Sequence, residues 1–281
     1  MSALTQKRTD GYKPLFFLFC LFALGWITIL LYAGGMTTSI KAGMAFLDWP
    51  LSNGSVNPAG WLTESDKMAE HSHRLLGMKI GLLSIGLFLW TYLRESRDWV
   101  RTLARVLLWV VILQGLLGGA RVRFDQLNIM SDHNLLAQSF AVVHACGAMV
   151  VLGILVTLTL ASTRRWIEAS AGLNVQQPTG VKRWGIIATV SIFLQILVGA
   201  IMRHADAGLA LVKFPMSTAT NWLPTYWNFD VSVHFAHRIG AILVTVILLV
   251  FLCKLWGSPT AKRALGYGAL FLAVILGLQI S

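Results

Sequence analysis

The sequence predicts an all-α polytopic membrane protein of two pseudo-symmetric four-helix bundles, the last helix of the second bundle being missing from the chain. Three observations predict it. Of 281 residues, 56% are hydrophobic and only 12% charged, more apolar surface than one soluble core absorbs. The basic residues gather on alternate connections between apolar runs. And two stretches about 165 residues apart read as copies of one another, GGMTTSIKAGMAFLDWP then EHSHRLLG (from Gly34 and Glu70), and GAIMRHADAGLALVKFP then HFAHRIG (from Gly199 and His234).

The runs follow in order near residues 14–34, 75–93, 103–120, 137–161, 184–202, 232–252 and 264–281. Each approaches the roughly 20 residues that cross a hydrocarbon core of about 30 Å. The first is too long for a cleavable signal peptide, and the GGMT that follows it belongs to the repeated segment. Between the first and second runs lies a long loop, 35–69, with Trp49, Trp61 and turn signals at Pro50, SNG and NPAG; a matching loop, 204–230, carries Trp222, Trp227, Pro215 and Pro224. Their indoles suit the headgroup level of a bilayer. The third run holds Gln114 and the seventh Gln279, again 165 apart, while Gln195 sits in the fifth; interhelical hydrogen bonding suits such glutamines.

Four helices return the chain to its starting side, so the two copies share one orientation and a pseudo-twofold axis along the membrane normal. The expected division is a first bundle over 1–165, a cytoplasmic linker over 166–183 centred on NVQQPTG, and a second bundle over 184–281 with three of its four helices. His144 on the fourth run would recur near position 309, beyond Ser281, which marks the chain as C-terminally truncated.

The net charge of +11 raises the question of nucleic acid, and its placement answers it. With a cytoplasmic N-terminus, the inner segments hold fourteen of the 23 basic residues but four of the twelve acidic ones. That is the positive-inside pattern, and it places the protein across the cell (inner) membrane, in contact with lipid and with no nucleic-acid partner. Cys20, Cys146 and Cys253 all lie in apolar runs, where they read as small buried hydrophobes and imply no disulfide framework.

His73, His144 and His237 each open a run at its outer end. An ionisable group there is costly and is a functional candidate by default. Small residues share their helical faces: Gly77, Gly147 and Ala148, and Gly240. A flat macrocycle bound through histidine needs such a smooth surface. Across one bundle His73 and His144 can supply both axial nitrogens of a haem iron, and His237 one ligand of a second haem. Arg74 and Arg238, next to their histidines, are placed to hold haem propionates. Zinc fits less well, since the histidines come from separate helices and Cys146 points away from His144.

Glu70, three residues before His73, has His234 as its counterpart, so only the first copy carries a carboxylate there. It can act as a general acid or base or stabilise positive charge; it can equally be an acidic residue favoured at a helix N-terminus. His71, His133 and His204 look like loop or interfacial residues.

GGMT…DWP, E-x-x-HR on the second run, a lone His opening the fourth and H-x-x-HR on the sixth resemble the haem A synthase family of membrane enzymes, over nearly the whole chain. The resemblance implies two four-helix bundles that oxidise the C8 methyl group of haem O to a formyl group, making haem A for cytochrome oxidase. It implies Glu70 as the catalytic carboxylate, His73 and His144 as ligands of the substrate haem O, and His237 as a ligand of a haem b cofactor, both haem sites lying toward the outer side. Haem O synthase and cytochrome oxidase assembly factors would be partners. Some members carry a cysteine pair in the first outer loop; residues 35–69 have none, which places the chain in the branch without it. A b-type cytochrome that only relays electrons and a transporter on a parallel repeat are the alternatives from other classes.

Overall fold

In a computed structural model, residues 11–127, 135–172, 178–218 and 220–280 are described. Helices joined by loops make them up, with a single isolated bridge between Ser52 and Ser55 and no strand among them. The chain divides into two compact units, Met1–Leu173 and Asn174–Ser281.

In the first unit α1 (Pro14–Ser39), α2 (Ser65–Arg94), α3 (Asp98–Leu127) and α4 (Leu135–Ala161) form a closed ring in which α1 packs on α2 and α4, and α3 on α2 and α4. α2 and α4 therefore stand diagonally across the bundle. Pro14 starts α1, where its missing N–H costs nothing. The core is a stripe at three- and four-residue spacing on each helix: Phe16, Cys20, Ala23 and Ile27; Ile80 and Leu87; Val100, Leu107 and Val111; Val151, Ile154, Leu155 and Leu158. The opposite faces are large and apolar as well, Leu15, Leu82 and Trp109 being exposed, as side chains are when lipid is the solvent.

A three-residue connection joins α2 to α3, and Arg97 locks it. Its guanidinium pairs with buried Glu95 at 2.8 Å and donates to the Ala161 carbonyl at 2.8 Å, satisfying the exposed end of α4. The short α5 (Arg164–Gly172) follows and packs on α4, so it belongs to the first unit.

The second unit holds α6 (Thr179–His204), a 3-10 turn (Ala207–Leu209), α7 (Phe229–Trp256) and α8 (Pro259–Ile280). α7 packs on both α6 and α8, and the Asn228 side chain caps it by accepting from Val231 N at 2.8 Å. Among the described residues six helices, α1 to α4, α6 and α7, are long and apolar enough to span a membrane. The seventh run falls in α8, whose described apolar part is Leu265–Gln279. Cys20 and Cys146 are buried and free, as expected; Cys253 is free but exposed, on the outward face of α7.

Candidate functional site

His73 on α2 and His144 on α4 come from diagonal helices and lie close enough that each acts on the electrostatics of the same interior. The His73 ring abuts α1 through Cε1: a Cβ on Gly34 would sit 2.8 Å from it. His144 approaches Gly118 of α3, with 3.7 Å to the corresponding position. Each keeps a buried Nδ1 that has no hydrogen-bond partner. A buried imidazole nitrogen left unpartnered by the protein is the kind of orphaned polar atom that a bound group accounts for. The donor set therefore fits a haem iron taken between two imidazoles. Among the described residues no group of three or more His, Cys, Asp or Glu is gathered to hold a bare metal ion.

Above these histidines the first long loop is clamped down by the start of α2. Phe46 N donates to Glu70 Oε2 at 2.9 Å, and Arg74 Nε donates to Glu70 Oε1 at 3.1 Å, with a second, closer contact from the guanidinium. The remaining Arg74 donors reach the carbonyls of Phe46 (3.0 Å), Asp48 and Leu51. A guanidinium has five N–H groups, and all five are taken. One residue on, buried His71 sits 2.9 Å from Ser52 Oγ through Nδ1 and 3.2 Å from the Val56 carbonyl through Nε2, with the Trp61 ring edge-on at 4.7 Å. Asp48 closes the tip by accepting from Asn53 N and Gly54 N, both at 2.7 Å. Partial burial opposes its ionised form, but these N–H groups, its own and the Arg74 charge outweigh that and hold the carboxyl below its ordinary value. Trp49, before the cis Pro50, lies on Gly119 of α3 so closely that a Cβ there would be 2.5 Å from its ring.

The second unit has contacts similar to these about 165 residues further along the chain. Lys41 and Asp206 both take left-handed backbone after their helices, at φ 57° and 54°, and Phe214–Pro215 is cis like Trp49–Pro50. A Cβ on Gly199 would fall 2.8 Å from His237 Cε1, as one on Gly34 would from His73 Cε1. Leu211 N faces His234 Nδ1 at 3.2 Å, where Phe46 N meets Glu70. Arg238 reaches His234 Nε2 (3.2 Å) and the carbonyls of Met216 (3.2 Å) and Leu211 (2.6 Å). Both imidazole nitrogens thus face donors, and a neutral imidazole accepts at only one of them. A carboxylate serves both.

Residues 62–281 match the family model COX15-CtaA, described as cytochrome oxidase assembly protein. The chain belongs to the COX15-CtaA family. It is 30% identical over 245 residues to the heme A synthase of Shouchella clausii, covering 85% of this chain and 74% of that protein. It is 28% identical over 263 residues to the heme A synthase of Symbiobacterium thermophilum, covering 90% and 78%. With that of Bacillus licheniformis it shares 31% over 222 residues, covering 76% and 67%.

Within this COX15-CtaA chain, His73 and His144 come together as a pair, whereas Glu70 and Arg74 meet one another and the loop. His71 is not interfacial: it is 3% exposed and bonded at both nitrogens. His204 ends α6, and His133 lies outside the described residues. Sequence reasoning passed over Arg121. Its charge acts on both His73 and His144, and its guanidinium comes within 3.3 Å of where a Cβ on Gly43 would be. Its signal was an arginine directly after GLLGGA, at the same end of its run as the histidines.

Proposed function

We propose that this chain is a haem A synthase, an oxidoreductase that converts the C8 methyl group of haem O to a formyl group. The supporting observation is the pair of buried imidazoles on diagonal helices, each with an unpartnered Nδ1, in a chain of this family. Haem O is the substrate, taken between His73 and His144. Converting methyl to formyl removes four electrons and four protons and adds one oxygen atom from water. A haem b held at His237 would supply one-electron transfer to an acceptor outside the chain.

The chain's own residues bind, orient and cover. His73 and His144 fix the iron, and the glycines at 34 and 118 let each ring come close to the neighbouring helix. Arg121, whose charge reaches both histidines, would attract a propionate. The donors of Arg74 and Arg238 hold loop carbonyls. Glu70 acts through Arg74 and Phe46: it keeps the loop seated over the site, so that water reaches the methyl group only by a defined path. In this reading the N-terminus is cytoplasmic, the sites face the outer side, and haem O synthase and cytochrome oxidase assembly factors are the partners that deliver and receive haem.

The test is co-expression with haem O synthase, followed by mass spectrometry of extracted haem. Haem A is expected. Unaltered haem O with intact protein overturns the reading, and a Soret band without haem A formation leaves the electron-relaying b-type cytochrome in its place.

A further inference from the structure

Positions 195 on α6 and 240 on α7 work as a pair. The Gln195 amide nitrogen lies 3.1 Å from His237 Nδ1 and 2.7 Å from the His237 carbonyl oxygen. A Cβ on Gly240 would fall 2.1 Å from Gln195 Oε1, so the amide fills the space that a side chain at 240 would take. At the repeat offset the first unit has Leu30 and Leu76. There the amide is gone and so is the room for it, and Nδ1 of His73 is buried without a partner. The two substitutions belong together: a glutamine at 30 would meet Leu76, and a leucine at 240 would expel Gln195.

We propose that Gln195 is a positioning residue for His237, seated by Gly240, and that it makes this imidazole a firmer haem ligand than His73. The inference rests on the haem-binding reading of His237 given above. A hydrogen bond to the second nitrogen of a ligating imidazole fixes the ring's orientation and raises its basicity. An iron held at Nε2 leaves the proton on Nδ1, so the amide serves the ligand through its oxygen, which a half-turn about the terminal bond brings to Nδ1–H at the expense of the N–H contact with the His237 carbonyl. Leucine cannot do this. The difference separates His237 from His73; His144 has an amide of its own alongside, since Gln114 fills the place of a Cβ on Gly147.

The experiment uses the purified full chain with His73→Ala and His144→Ala, so that only His237 is read. Haem b is titrated in and followed at the Soret band, and the midpoint potential of the bound haem is measured. Gln195→Leu should weaken binding about 10–100-fold and raise the potential, because electron donation to the iron falls. Gly240→Ala should shift both in the same direction by displacing the amide. Since alanine is the better helix former, a folding defect does not account for that result. Wild-type affinity and potential in both variants overturn the inference while leaving the haem reading intact. If the parent chain shows no more Soret band than its His237→Ala derivative, the haem reading of His237 falls and the inference with it.

Discussion

Glu70→Gln separates a carboxylate that acts through the loop from one that takes part in the chemistry. The Glu70 and Arg74 side chains are 5% and 11% exposed, so their pair is little screened by solvent. Removing one partner of a buried ion pair costs about 3–5 kcal/mol when nothing else compensates the remaining charge. Here Arg74 keeps three carbonyls, and glutamine keeps one acceptor oxygen for Phe46 N or for Arg74 but not for both as charged partners. That brings the expected cost to about 2–3 kcal/mol, the strength of a charge-assisted hydrogen bond. Spent on opening the loop, it corresponds to a roughly 30- to 150-fold faster local opening. Hydrogen exchange of peptides covering residues 43–56, read by mass spectrometry in detergent or nanodiscs, should show this acceleration, with α1 to α4 otherwise unchanged. Haem A formation should fall in proportion, and Glu70→Asp should recover part of both. Full loss of haem A with a loop as protected as in the wild type would refute the reasoning, because the carboxylate would then act on the substrate itself.

Gly34→Ala places a methyl group 2.8 Å from His73 Cε1, so the ring must turn. The variant should fold at least as well as the wild type, yet bind haem O more weakly by roughly tenfold, measured by Soret titration. Arg121→Gln should weaken haem O binding by about tenfold while leaving the helical circular dichroism unchanged; an unaltered dissociation constant would remove Arg121 from the site. The Asp48 carboxyl is held below its ordinary value by burial being outweighed by the N–H groups of Gly54 and Asn53 and the Arg74 charge. Its contribution to the loop tip is therefore complete above about pH 4 and is lost as pH falls through the folded value, and Trp49 fluorescence should report release of the tip below that pH in the wild type but not in Asp48→Asn.

How much of this was legible in the sequence depends on which force places each residue. The helices were legible because lipid selects long apolar runs, and α1, α4, α6 and α7 follow them closely. The His73–His144 pair was legible because both open their runs at one end and alternate helices of a four-helix bundle are diagonal. What hid was everything decided by loop backbone. Arg74 looked available for a propionate because nothing in EHSHRLLG reveals that the carbonyls of Phe46, Asp48 and Leu51 turn toward it. His71 looked interfacial because its partners, Ser52 and the Val56 carbonyl, are fifteen or more residues away in a loop without periodicity. Arg121 was hidden for the opposite reason, since its position on α3 becomes relevant only once α2 and α4 have brought two imidazoles within its field.

The two clamps share a geometry and differ in their chemistry. Glu70 and His234 occupy one position, face equivalent amides at Phe46 and Leu211, and sit under equivalent arginines at Arg74 and Arg238. The carboxylate answers both donors and cancels a buried charge; the neutral imidazole answers one and cancels none. The second clamp is thus the weaker one, and it covers the imidazole that a side-chain amide already steadies at Gln195. In the first unit the order is reversed, with a strong lid over a histidine whose Nδ1 has no partner. A site that must admit and release a large flat substrate gains from loosely held ligands under a cover that shuts firmly. A site that keeps its occupant needs a firm ligand more than a firm cover.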